Sequence, residues 1–519
     1  MYDPLRRLWL RLEDAFSAPF GQSLNPWYHL GAITFYLFWV VAVSGAYLYA
    51  FYRTGAHEAY QSVEALTNGQ WYAGGVMRSV HRYASDAMVL AMLLHLARSL
   101  GTGRFRHFRW FSWVSGVVLI WLVYACGING YWLVWDRLGQ FIAVATTEWF
   151  GWLPMFSEGL ERNFLIQGDV SGRFFTLLSF AHVTLPLLLL FLMWLHTKRI
   201  NSAETFPPRP LAVGVVLMLV ALSLLRAAVS QGGADLATVD TIGLDWFYLA
   251  PYAVLYATSP GALWALLAGS TAMLLAAPWL LSRPPQRPVE VHLDNCNGCS
   301  QCFDDCPYSA IAMQPRQDGR PYELEPVVDP DLCASCGICV GSCPFSMPFR
   351  SGSLVSGLEL PGRPLAELRS DVNRALVMLH GKRRVVVFGC DHGFDVCTLR
   401  DPDVAAVSLP CIGMLPPAFI DYALRDALAD GVLIVGCRAG DCHFRLGVQW
   451  IEQRLARRRP PLLRQRVPDE SVELCWAGAP DRERVLAALS RLRSRVGAGR
   501  EKALSAPARA EPHGEAGND

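Results

Sequence analysis

Four histidines fall into two equally spaced pairs. His81 and His95 are 14 residues apart, and so are His182 and His196. Fourteen residues advance an α-helix by about 21 Å and close to four whole turns. Each pair therefore lies on one helix face, with one imidazole near each end. In an antiparallel bundle His81 would meet His182 on the outer side, and His95 would meet His196 on the inner, cytoplasmic side. Imidazole is an axial haem ligand, so the spacing predicts two non-covalent haem b groups in one bundle. Glycines repeat the interval: Gly31 and Gly45 in one apolar stretch, Gly116 and Gly130 in another. Glycine lets a flat macrocycle come close to a helix backbone. Arg78 and Arg82 flank His81 and could pair with propionates. Single buried histidines and helix-contact glycines would be the plain alternative. The fourfold repeat speaks against it, and ionisable residues inside spans are functional candidates by default.

Cysteine supplies the second chemistry. Of the 15 cysteines, only Cys126 precedes residue 290. Cys296, Cys299, Cys302 and Cys306 form C-x-x-C-x-x-C-x-x-x-C-P, and Cys333, Cys336, Cys339 and Cys343 repeat it. This is the bacterial two-cluster ferredoxin run, in which the fourth cysteine serves the other cluster. It predicts one [4Fe-4S] cluster on Cys296, Cys299, Cys302 and Cys343, and another on Cys333, Cys336, Cys339 and Cys306. Two copies of the spacing make zinc a remote alternative. Further on, apolar strand-like runs end at Cys390, Cys411 and Cys437. Parallel strands bring their C-terminal ends to one edge, where Cys397 and Cys442 would join them. Five thiols there suffice for one more cluster. Cys126 and Cys475 stand alone and read as packing residues.

The elements that must hold these residues follow from composition. Hydrophobic residues make up 52% of the 519-residue chain and charged residues 18%. About 20 apolar residues cross a bilayer, and six stretches qualify: 28–51, 75–100, 111–134, 174–196, 211–230 and 263–281. Basic residues (Arg6, Arg7 and Arg11; Arg98, Arg104, Arg106 and Arg109; Lys198, Arg199 and Arg209) mark the cytoplasmic side. The N-terminal stretch is amphipathic and has no cleavable signal pattern. Six spans return the chain to the cytoplasm, which suits reduced thiolates. The net charge of +1 gives no hint of nucleic-acid binding.

The expected fold class is therefore multi-domain. An all-α transmembrane bundle of six spans precedes a small α+β ferredoxin-like domain and an α/β iron–sulfur domain. The segments are 1–206 for the dihaem bundle, 207–283 for two further spans, 289–352 for the two-cluster domain, 353–381 for a linker helix, 382–496 for the α/β domain and 497–519 for a disordered polar tail.

Ser79-Val80-His81-Arg82-Tyr83, Gly127-Ile128-Asn129-Gly130-Tyr131-Trp132-Leu133-Val134-Trp135-Asp136 and Arg173-Phe174-Phe175 resemble cytochrome b of the quinol-oxidising bc and b-f complexes, over roughly residues 25–282. That resemblance implies haem ligation by the four histidines. It also implies a quinol site where the family carries Pro-Glu-Trp-Tyr. Here the stretch reads Leu244-Asp245-Trp246-Phe247, so Asp245 is the candidate proton acceptor for a quinone substrate, with Trp246 beside it. One subfamily attaches a further haem through a cysteine near the first span. His29 stands there, so no such haem is expected, and His29 reads as an interfacial histidine.

Residues 382–496, with Gly436-Cys437-Arg438-Ala439-Gly440-Asp441-Cys442-His443 and Val472-Glu473-Leu474-Cys475-Trp476, resemble the delta subunit of methyl-viologen-reducing hydrogenase. This implies one [2Fe-2S] cluster on four of Cys390, Cys397, Cys411, Cys437 and Cys442. It also implies a soluble cytoplasmic flavoprotein partner like that of heterodisulfide reductase. Cytochrome b by analogy implies a homodimer. The function expected is quinone-linked electron transfer by an oxidoreductase subunit in the inner membrane. The competing readings are an electron wire without its own quinone site, and a redox sensor.

Overall fold

The computed structural model describes residues 3–55, 57–156, 172–200, 203–235, 242–244, 247–281, 287–349, 354–399, 401–425 and 428–505. They form two compact units, Met1–Pro284 and Pro285–Asp519.

The first unit is helical. Its elements are α1 Asp3–Phe20, α2 Leu30–Tyr49, α3 Glu58–Glu64, α4 Val76–Gly101, α5 Trp110–Val134, α6 Arg137–Gly151, α7 Gly172–Lys198, α8 Arg209–Leu225, α9 Ala250–Ala257 and α10 Pro260–Leu280. α2 packs along α4, and α5 along α7. Leu37, Ala84, Val89, Ile142 and Leu249 lie in the shared core. Large apolar side chains such as Val43, Leu187, Phe191 and Leu217 face outward. That arrangement suits a lipid surround and would be costly in water.

Four helical stretches among the described residues are long and apolar enough to cross a membrane: Pro26–Tyr49, His107–Val134, Phe175–Lys198 and Pro260–Leu280. This corrects the expectation of six. α4 has the length, but Arg78, Arg82, Asp86 and Arg98 interrupt its apolar surface. α8 ends after 17 residues, short of the roughly 20 that a span needs. The chain is a multi-pass membrane protein. α1 is held to α4 by a buried ion pair, Arg98 Nε to Glu13 Oε1 at 2.8 Å.

One end of the bundle is closed by the segment 226–235. Arg226 accepts through its carbonyl from Tyr83 Oη at 2.7 Å, and the Ala228 amide donates to Ser79 Oγ at 2.9 Å. Asp136 caps α6 by accepting from the Gly139 amide at 2.9 Å. Its second oxygen accepts from the Gln231 amide at 2.9 Å. Asp136→Ala removes both bonds. The cap alone is worth about 0.5–2 kcal/mol, so the thermal midpoint in detergent should fall. An unchanged midpoint would show that neither bond matters to stability.

The second unit begins with two small antiparallel pairs, β1 Glu290–Val291 with β4 Leu358–Glu359, and β2 Ile311–Pro315 with β3 Leu324–Val328. The short helices α11 Gln301–Asp305 and α12 Ile338–Ser342 lie in the two cysteine motifs. α13 Leu365–Val377, in the stretch expected as a linker, packs against β6 through a buried face that includes Leu368 and Val372. Then comes a four-stranded parallel sheet of β5 Val385–Cys390, β6 Val404–Leu409, β7 Gly431–Gly436 and β8 Val472–Trp476, in the order β6-β5-β7-β8. β5 and β7 are wholly buried, as continuous β-branched runs covered on both faces should be. α14 Pro417–Leu424, α15 Gly447–Leu455 and α16 Arg482–Ser505 complete the unit. α16 continues to Ser505, which corrects the expected start of the tail at 497. The rest of that expected tail, 506–519, lies outside the described residues.

Candidate redox sites

The histidines sit on α4 and α7, and the repeating glycines on α2 and α5. Each glycine meets an imidazole on the helix beside it. A Cβ at Gly45 would lie 2.9 Å from His81 Cε1, and one at Gly130 3.1 Å from His182 Cε1. At the other end Gly31 and Gly116 meet His95 and His196, each at 3.2 Å. The glycine repeat makes room for the imidazole rings themselves. His81 and His182 face one another edge to face, with ring centroids 6.4 Å apart.

The rings are oriented from the helices that carry the glycines. His81 Nδ1 is 3.0 Å from the Val41 carbonyl and 3.2 Å from Ser44 Oγ. His182 Nδ1 is 3.1 Å from the Cys126 carbonyl, and His196 Nδ1 is 2.9 Å from Ser115 Oγ. Sequence reasoning passed over these partners, although a signal was present. The carbonyls of Val41 and Cys126 belong to residues four before Gly45 and Gly130. Ser44 and Ser115 stand directly before Gly45 and Gly116. Cys126, read as mere packing, also places its sulfur 3.8 Å from His182 Nδ1.

Arg78 and Arg82 do not extend freely. Arg78 binds Ser230 Oγ at 2.8 Å, Glu64 at 3.4 Å and Thr67. Arg82 pairs with Asp86 at 2.7 Å and lies over the Tyr131 ring. His29 is buried, with Nε2 2.9 Å from the Ser23 carbonyl. Asp245 and Trp246 lie outside the described residues. The chain just after them is fixed, because Tyr248 is fully buried with Oη 2.6 Å from Ser85 Oγ. Its ring occupies the space over Gly127, where a Cβ would come within 2.0 Å.

In the second unit the thiols gather in three groups. Burial pushes the Cys302 thiol up to about 12, with Cys299, Cys343 and Cys296 as nearby contributors. Burial likewise raises Cys339 well above the usual thiol range, with Cys336, Cys306 and Cys333 close by. Cys306, Cys333, Cys336 and Cys339 line one cavity together with Val289 and Tyr308. At the C-terminal edge of the parallel sheet, Cys390 Sγ lies 3.6 Å from Cys437 Sγ. Cys411 and Cys442 are beside them: a Cβ at Gly447 would touch Cys411 Sγ at 2.3 Å and Cys442 Sγ at 3.7 Å. Cys397 is exposed on the turn Val396–Thr398. Cys475 is buried in β8, with its sulfur 3.9 Å from the Arg484 carbonyl.

The cofactor inventory expected from the sequence, two haem b, two [4Fe-4S] and one [2Fe-2S], needs correction. Among the described residues no group of three or more His, Cys, Asp or Glu side chains is arranged to hold a metal ion. Metal–thiolate bonds are about 2.3 Å long. The thiols are near enough to raise one another's pKa, but among the described residues no three of them are arranged about a single metal ion.

A helical membrane bundle with histidine pairs at both ends, in one chain with thiol-rich domains, defines a membrane redox protein. The chain belongs to the cytochrome b/b6 family, whose model matches residues 15–203. It is 34% identical to cytochrome b6 of Porphyra purpurea over 196 residues, covering 37% of this chain and 88% of that one. It is 33% identical to cytochrome b6 of Tupiella akineta over the same shares. The bundle is fused to a 4Fe-4S dicluster domain at 295–347 and to a domain of the methyl-viologen-reducing hydrogenase delta subunit family at 396–498. A solved structure described as "Hyperthermophilic respiratory Complex III" matches 49% of this chain and 75% of its own, at 17% identity and a TM-score of 0.42. The domain composition is that of an oxidoreductase-type subunit with a general role in electron transfer.

Proposed function

We propose that this chain passes electrons between the membrane quinone pool and a soluble cytoplasmic redox protein, such as a flavoprotein of the heterodisulfide-reductase kind. The observation that carries the reading is the pairing of four histidines at opposite ends of one bundle. Each ring is seated on a glycine of the adjacent helix, in a chain that goes on to three gatherings of thiols. His81, His182, His95 and His196 are the residues proposed to matter in the membrane. Asp245 is the proposed proton acceptor for quinol, with Trp246 beside it. The basic loops favour a cytoplasmic N-terminus, and the even number of spans favours the same side for the thiol-rich half.

A quinol must lose protons as it loses electrons, so a titratable group is needed where it reacts. Run in the opposite direction, two electrons and two protons reduce one quinone. The test uses the full chain in liposomes with reduced methyl viologen outside and a quinone in the bilayer. The expected result is loss of the viologen colour at two radicals per quinone reduced. Asp245→Asn should slow it by about 10²-fold or more, the usual range for a lost proton-transfer group. Viologen that bleaches into the protein without reducing quinone would overturn the proposal and leave the wire or sensor reading. A wild-type rate in Asp245→Asn would remove Asp245 from it.

A further inference from the structure

We propose that the arginine-rich turn at 456–466 is the docking surface for an acidic soluble redox protein. The inference rests on the electron-transfer function proposed above and adds the place and the chemistry of the partner contact. From Arg454 to Arg466 the chain carries six arginines and no acidic residue. Four of them pair with buried carboxylates. Arg454 and Arg459 share Asp305, and Arg464 and Arg466 share Asp421. Arg458 is exposed, and Arg457 pairs with Asp469, itself 79% exposed, and donates to the Val467 carbonyl at 3.1 Å. Leu462 adds an exposed apolar side chain, 52% accessible. A cationic rim around a small apolar contact is the complement of an acidic protein surface.

The position of this turn matters as much as its charge. It directly follows α15, and α15 begins at Gly447, packed against Cys411 and Cys442. Arg459 Nε binds Asp305 Oδ1 at 2.6 Å, and Asp305 is the residue before Cys306. Arg459 also lies over the Trp450 ring at 3.6 Å, and Trp450 Nε1 donates to the Asp305 carbonyl at 3.1 Å. The turn therefore touches the framework of one thiol group and continues directly from the helix that packs on another, while presenting its remaining charge to solvent. Electron exchange weakens steeply with distance, and a partner seated here lies beside the framework of Cys306.

Opposite charges steer encounter and raise association rates by about 10–10³-fold, an effect that salt screens. The probe is a flavodoxin, an acidic flavoprotein. Its hydroquinone gives one electron and becomes the semiquinone, and two such transfers with two protons reduce one quinone. The full chain in liposomes is assayed with reduced flavodoxin and, separately, with reduced methyl viologen, a small dication. In Arg457→Glu/Arg458→Glu the flavodoxin rate relative to the viologen rate should fall about ten-fold or more, and its salt dependence should flatten. An unaltered ratio would overturn the docking surface while leaving the electron-transfer reading intact. So would a variant that loses binding to anionic vesicles but exchanges with flavodoxin as before, because the turn would then face lipid. Failure of the wild-type protein to pass electrons from viologen to quinone would instead overturn the function on which the inference rests.

Discussion

Replacing Arg454 with alanine should weaken the thiol-bearing unit by about 3–5 kcal/mol, the cost of leaving a buried ion without its partner. Arg454 is wholly buried. Its guanidinium binds Asp305 Oδ2 at 2.5 Å, Ser342 Oγ at 2.7 Å and the Gly413 carbonyl at 2.8 Å. These three partners come from α11, α12 and the turn after Cys411, so one side chain joins both cysteine motifs to the parallel-sheet domain. The seam has no spare room. A Cβ at Gly341 would meet the Gly413 carbonyl at 2.3 Å, and one at Gly337 would meet Met414 Sδ at 2.7 Å. Hydrogen exchange in the full chain gives the readout. Amides of α12 and α15 should exchange about 10²- to 4 × 10³-fold faster in Arg454→Ala, since each 1.4 kcal/mol is a factor of ten. Arg454→Met combined with Asp305→Leu should restore much of the protection, because a buried pair can often be exchanged for apolar side chains of similar volume. Exchange at the wild-type rate in the single variant would show that the ion pair does not hold the seam.

The second large effect is expected in the membrane. Gly45→Leu places a branched side chain where even a Cβ would stand 2.9 Å from His81. The ring must move and lose its contacts with Val41 and Ser44. Overpacking of this kind costs about 1–3 kcal/mol, which a bundle can survive. Function is more exposed, because a displacement of about 1 Å in a reacting group can cost 10²-fold. Viologen-to-quinone transfer should fall by about that factor, while Gly31→Ala, with 3.2 Å available, should do less harm. If Gly45→Leu transferred electrons at the wild-type rate, the seat of the ring would not matter and His81 would lose its proposed role.

Spacing made much of this legible. The 14-residue interval placed the four histidines and four glycines on four helices, since helical periodicity is strict over that length. The strands ending at Cys390, Cys411 and Cys437 could be read because buried parallel strands are unbroken apolar runs. Span counting failed for the opposite reason. α4 mixes charge with apolar surface, and α8 stops early at Arg226, and neither is visible in a count of apolar residues. The side chains that matter between domains were also hidden. Nothing near Arg454 or Asp305 in the sequence marks them as partners, because they are 149 residues apart. The partner of His29, the Ser23 carbonyl, was equally hidden, because it lies on a turn.

The segment 226–235 bears on how such a protein can be assembled from parts. Arg78 and Asp136, in the stretch that matches a shorter cytochrome, depend on Ser230 and Gln231 from beyond it. A chain cut after residue 206 would keep its histidines but expose Arg78, Ser79 and Asp136 at an unclosed end. The bundle and the helices after it thus form one compact unit, and a graft of the bundle onto another soluble module would have to carry residues up to at least 235 with it.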